Sequence, residues 1–128
     1  YSYAVQLFKL ALKGNLHNFG DEHPQVAESR ANLGLALSEL GDYDNAFQHL
    51  ELALASDLCN FDEDNTHVAA SRWKLASVFY RTGQLNEAKT LLEQALPIIK
   101  KSLGVNHPYY IEIVRLLNAV NKKLNHSS

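Results

Sequence analysis

The groups able to do chemistry are few and scattered along this chain. It holds six histidines, one cysteine and fourteen carboxylates in 128 residues. His23 and His107 each stand before a proline. A metal site needs ligands that converge, and neither histidine has a cysteine or carboxylate at matching spacing. Both are therefore expected to shape loops. Asp62-Glu63-Asp64 has the acidity of half a calcium loop. It lacks the glycine and the terminal bidentate glutamate that such a loop requires, so a solvated acidic turn is expected. Cys59 has no base motif beside it that would make it a nucleophile. His49 reads as a partly exposed packing histidine. Glycine-rich phosphate loops and the G-x-S-x-G elbow are missing. No catalytic residue, metal or cofactor is expected, and an enzyme is the least favoured class.

Composition narrows the remaining classes. The formal charge is −2 and 46% of residues are hydrophobic. That suffices for one small domain with a core. A near-neutral balance argues against nucleic-acid or membrane partners, which call for a basic excess. A single cysteine permits no internal disulfide and fits a reducing compartment, so a cytoplasmic location is expected. No apolar run approaches the roughly 20 residues of a membrane-spanning helix. The chain starts at Tyr1 and contains no methionine, which suggests a piece of a longer protein.

What organises the chain is a repeat of 42 residues. Ala4, Ala46 and Ala88 share a column, as do Ala11, Ala53 and Ala95. Leu12, Leu54 and Leu96 form a third, Phe19, Phe61 and Leu103 a fourth, and Leu33, Leu75 and Leu117 a fifth. Gly41 recurs as Gly83, and His23-Pro24 as His107-Pro108. A fixed period of this length marks a stack of small supersecondary units that bury apolar faces only against their neighbours.

Each unit reads as two helices, A and B. Val26 to Leu40 carries apolar residues at spacings of three and four, with Pro24 suited to the first turn and Gly41 to the left-handed stop. Asp42-Tyr43-Asp44 opens a B helix, with Asp44 as N-cap or first-turn acid, and its stripe runs Ala46, Phe47, Leu50, Ala53, Leu54 and Leu58. The same pattern predicts an A helix capped by Thr66 or Asn65 and running to about Thr82, a B helix from about Asn86 to Leu103, and an A helix from Pro108 to about Leu124. Residues 3–18 match a B helix without its A partner. The expected organisation is one domain over 1–128: a partial repeat at 1–18, repeats at 24–61 and 66–103, and a terminal helix or cap at 108–125. Alanines seven apart share one B-helix face and allow close helix approach. Pro97 should kink its helix or push the helix start outward, and Gly14 should weaken the first helix.

Residues 32–54 and 74–96 resemble tetratricopeptide repeats, through N-L-G-L-A-L-S-E-L-G-D-Y-D-N-A-F and K-L-A-S-V-F-Y-R-T-G-Q-L-N-E-A-K. The longer period, with F-G-D-E-H-P-Q-V-A and L-G-V-N-H-P-Y-Y-I, is similar to the subfamily of kinesin light chains and many bacterial signalling proteins. The resemblance implies an all-α fold, an α-solenoid of six helices in antiparallel hairpins with a right-handed superhelical path. It also implies a protein or peptide partner held on the inner face made by A helices.

By the same resemblance, the groove columns are Glu28, Ala31, Leu35, Ser38 and Glu39; then Ala70, Trp73, Ser77, Tyr80 and Arg81; then Glu112, Arg115, Ala119, Lys122 and Lys123. Family members that clamp a C-terminal carboxylate carry Lys and Asn there, and only Arg115 is suited to that task here. Of the paired asparagines favoured in kinesin-type units, only Asn32 remains, so that cargo chemistry is not carried over. Trp73, Ser77, Tyr80 and Arg81 lie on one helix face. Aromatic and arginine side chains are common interaction hot spots, and the expected ligand is an acidic segment with an apolar anchor. The competing reading has Trp73 packed between repeats and the charges as a solvated face. Arg30 and Arg72 recur one period apart and are expected to cover apolar surface while reaching a carboxylate, with Glu51 and Glu93 as candidates.

The final helix is apolar on more than one face, and the first exposes Tyr1, Tyr3, Leu7 and Phe8. Homodimer formation through terminal helices is therefore a second reading, and a peptide-sensing segment of a larger regulator a third.

Overall fold

The computed structural model describes residues 2–127. Six helices follow one another: α1 (Ser2–Phe19), α2 (Pro24–Glu39), α3 (Tyr43–Asn60), α4 (Thr66–Arg81), α5 (Leu85–Leu103) and α6 (Pro108–Ser127). No strand occurs among the described residues. The predicted helices are all present, within a few residues of their expected ends. Tyr1, part of the predicted exposed flank, lies outside the described residues.

The helices gather into two compact units, Tyr1–Asp62 and Glu63–Ser128. In the first, α2 and α3 form a hairpin and α1 packs on α2. In the second, α4 and α5 form the hairpin, while α6 packs on α5 and also touches α4.

Local signals set these elements with the 42-residue period. The residue before each A helix caps it: the imidazole Nδ1 of His23 accepts from the Gln25 N–H at 3.1 Å, Asn65 Oδ1 from His67 at 2.8 Å, and His107 Nδ1 from Tyr109 at 3.1 Å. Each satisfies a donor that the helix start leaves without an intrahelical partner. This is the loop-shaping role expected of both histidines. At the other end of α2, Gly41 has φ 83° and the Asp42 N–H reaches back to Leu37 O at 2.9 Å. Gly83 (φ 80°) and Gln84 repeat this after α4, with Gln84 N–H on Phe79 O at 2.8 Å. A side chain at that φ would be strained, so glycine recurs there. Asp44 falls in the first turn of α3, where its charge suits the helix dipole.

Packing within each hairpin follows the small-residue columns. Ala46, Leu50 and Ala53 of α3 are fully buried, as are Ala88, Leu92 and Ala95 of α5. Ala69 and Ala76 of α4 join the second core, together with Ile99, Ile113 and Val120. In the first hairpin Gly34 of α2 lies tight against α3. A Cβ there would lie 2.7 Å from Leu50 Cγ and 3.1 Å from the Ala46 carbonyl oxygen.

Two expectations are corrected. Of the two outcomes expected at Pro97, the outward start is overturned: α5 begins at Leu85 and stays helical past the proline to Leu103. The exposed proline is flanked by the buried Ala95 and Ile99, whose packing holds the segment helical. The arginine partners also differ. Arg30 pairs with Asp21 at 3.5 Å, and Arg72 with Glu63 at 4.0 Å, so the carboxylates come from the loop before each A helix rather than from Glu51 and Glu93. Asp21 and Glu63 are one period apart, as the arginines are.

Gly34 and Gly14 should respond oppositely to alanine. Nothing lies within 4 Å of a Cβ at Gly14, so Gly14→Ala should stabilise by about 0.5–1 kcal/mol through helix propensity. Gly34→Ala should destabilise by about 1–2 kcal/mol despite the same propensity gain, because the leucine and backbone must give way. Urea unfolding midpoints of the two variants check both signs.

Candidate functional site

In the second unit α4 and α6 lie side by side, and the residues singled out on their surface come together. Trp73 is half-buried, its ring 5.3 Å from Tyr109 and tilted by 43°. Tyr109 is in turn set by the α6 cap. Its N–H donates to His107 Nδ1, and the two rings meet edge-on at 4.7 Å. Toward the C-terminal ends of both helices, Lys123 places its Nζ 4.4 Å from the centre of the Tyr80 ring. That is cation–π distance. Arg81 and Lys122 are exposed nearby in sequence, on the last turn of α4 and late in α6. The surface thus has an aromatic end, Trp73 with Tyr109, and a cationic end around Tyr80 and Lys123.

The remaining predicted residues fare unevenly. The Ser77 hydroxyl donates to the Trp73 carbonyl oxygen at 3.2 Å, one helical turn back. Arg115 is exposed, but its guanidinium donates to Glu112 Oε1 at 3.0 Å on its own helix. In the first unit, Ala31 is only 2% exposed, which corrects its assignment as a partner contact. Its small side chain is taken up by core packing. Ser38, from the same set of columns, is also buried. Leu35 is half-buried and Glu39 exposed. The equivalent columns of the first unit therefore offer an apolar group and an acid, without a cation. Tyr109 was not among the predicted site residues. The His-Pro-Tyr run that opens α6 is the signal that places it, since a capped first turn fixes its direction.

His49 of α3 is half-buried. Its Nδ1 is buried and meets no hydrogen-bond partner among the described residues. Burial pushes its pKa below the ordinary 6.5, and the charges of Arg30 and Lys9 push the same way, with Asp42 opposing. No cluster of three or more potential metal ligands occurs among the described residues, and no helix there is long and apolar enough to cross a membrane.

Comparison with known proteins agrees with this architecture. Models described as tetratricopeptide repeat match residues 4–58 and 68–109, most of the sequence. The chain belongs to the tetratricopeptide-repeat family, whose fold is the all-α solenoid. Its repeats are of the kinesin-light-chain-like kind. A putative kinesin light chain from Podosopora anserina with nearly identical TPR-like repeats is 27% identical, with a TM-score of 0.80 over 93% of this chain and 56% of that one. A single-substitution variant of that protein gives the same values. BtubC (BKLC) from P. vanneervenii, 24% identical, shares the fold with a TM-score of 0.81 over 94% of this chain and 48% of its own. The chain thus spans about half the length of these structures. No curated protein matches significantly. Tetratricopeptide repeats generally mediate protein–protein interaction, and proteins built from them are typically non-catalytic scaffolds.

The His49 environment fixes the sign of one pH effect. Folding favours the neutral imidazole, so the unfolded chain takes up its proton first as pH falls. Stability from this group is intact above 6.5, drops below it, and levels off once the folded form protonates too. The same column holds Leu7 and Leu91. His49→Leu should raise stability by about 1 kcal/mol by removing a buried atom without a partner. It should also shrink the loss of unfolding midpoint between neutral and mildly acid pH, measured by thermal unfolding against wild type.

Proposed function

We propose that this chain is a non-catalytic protein-interaction module that holds an acidic segment with an apolar anchor on the α4–α6 surface. One observation carries the reading: α4 and α6 meet through two packed aromatic rings, Trp73 and Tyr109, and through Lys123 over Tyr80, with Arg81 and Lys122 exposed beside these last two in sequence. The aromatic end offers apolar area with polar tips to an anchor. The cationic end attracts carboxylates, and such attraction sets specificity and association rate. The overall charge of −2 supports a protein partner over a nucleic acid. Because α4 and α6 form a preset surface, the receptor side loses little entropy on binding.

Selection from a random peptide library tests this reading. Enriched sequences should pair Asp or Glu with one large apolar residue. Neutralising the cationic end with Arg81→Gln, Lys122→Gln and Lys123→Gln together should weaken their binding about tenfold and flatten its salt dependence. Enrichment of basic peptides, or unchanged binding by the triple variant, contradicts it.

A second reading, self-association, is favoured by α1. Tyr3, Leu7 and Leu10 fall at i, i+4 and i+7 and are 70%, 50% and 66% exposed. Such a stripe is the kind of surface that associates. Light scattering at several concentrations should then show a dimer that Leu10→Glu returns to monomer, whereas a monomer throughout removes this reading.

A further inference from the structure

We infer that Glu112 is a specificity-determining residue of the α4–α6 surface. It excludes ligand carboxylates from the aromatic end and so fixes the order in which an acidic segment lies. The inference rests on the reading just proposed and adds a polarity to it.

The placement of Glu112 carries the argument. On α6, Tyr109, Glu112, Leu116, Ala119 and Lys123 fall at i, i+3, i+7, i+10 and i+14, which is one helix face. The two ends of that row touch α4, Tyr109 at Trp73 and Lys123 at Tyr80. Glu112 thus stands one turn from the aromatic pair, on the row that meets α4. Its side chain is 46% exposed, and its Oε1 accepts from Arg115 Nη1 at 3.0 Å. Two consequences follow. The Arg115 guanidinium already has a carboxylate, and a ligand carboxylate arriving there must displace Glu112 to reach it. The far end carries Lys123 over the Tyr80 ring, with the exposed Arg81 and Lys122 beside these two in sequence.

The geometry sets a register. Trp73 and Tyr80 are seven residues apart on α4, roughly 10 Å along the axis. An extended segment covers that distance in about three residues. A bound segment therefore has its apolar anchor at Trp73 and Tyr109, and its carboxylate about three positions away rather than next to the anchor. An exposed i,i+3 ion pair is worth less than about 1 kcal/mol, so the bias is a preference of several-fold and not an absolute block.

The test repeats the library selection with wild-type chain and with Glu112→Gln. Wild type should enrich peptides whose acid lies about three positions from the anchor. Glu112→Gln should bind peptides with adjacent acid and anchor about two- to fivefold more tightly than wild type does, and leave the spaced class unchanged. The same shift should persist at moderate salt but diminish. If both chains enrich the same spacing with equal affinities, Glu112 sets no register and the inference fails while the acidic-segment reading stands. If neither chain enriches acidic peptides, the acidic-segment reading itself fails and takes the inference with it. A merely structural Glu112 would lower the melting temperature of the variant without altering spacing preference, which also overturns the proposal.

Discussion

Two helices can come close only where one of them gives up side-chain volume, and both hairpins of this protein rest on that condition. On the B helices the yielding residues are Ala46 and Ala53, then Ala88 and Ala95, all fully buried. On the A helices they are Ala27 and Gly34, then Ala69 and Ala76. Leu50 and Leu92 fill the space between, and the would-be Cβ of Gly34 falls on Leu50. Removing volume at the crossing is what lets leucine pack at interior density. α6 departs from the rule. Its residues in the two A-helix columns are Ile111 and Asn118, both exposed. Its outer face is therefore bulkier than those by which α2 and α4 receive their partners.

The aromatic and cationic groups of the second unit depend on this frame. Trp73 and Tyr80 follow Ala69 and Ala76 by one turn on the same side of α4, and both pack against the core that those alanines join. Tyr109 is held by the α6 cap. The charges sit at the helix C-terminal ends, where cations suit the dipole as well as any ligand. Structure and recognition are thus served by the same residues: Lys123 lies on the Tyr80 ring and ties α6 to α4 while it supplies charge to the surface.

The repeat made the fold legible. A period read from alanines, leucines and glycines located six helices because each signal, cap, stripe and stop, acts within a few residues of sequence. The His23, Asn65 and His107 column needed only the residue type and its place before a helix. What stayed hidden depends on partners brought together by loops or by burial depth. Arg30 reaches Asp21 across a turn, where no helical spacing points. Ala31 fits a surface column by number, yet is drawn into the core by its small size. Glu112 and Arg115 both fall in groove columns, but their ion pair is an i,i+3 contact that offsets the charge on offer, and column counting does not show it. Pro97 broke a local propensity rule, and packing of Ala95 and Ile99 overrode it.

Residue-resolved hydrogen exchange under native conditions tests the central claim most directly. Amides that open only with the whole hairpin exchange slowest. The account places the slowest amides at residues 46–53 in α3 and 88–95 in α5, where the helices cross over small residues, with faster exchange toward the ends of α1 and α6. Uniform protection along all six helices, or a maximum at those ends, would contradict it.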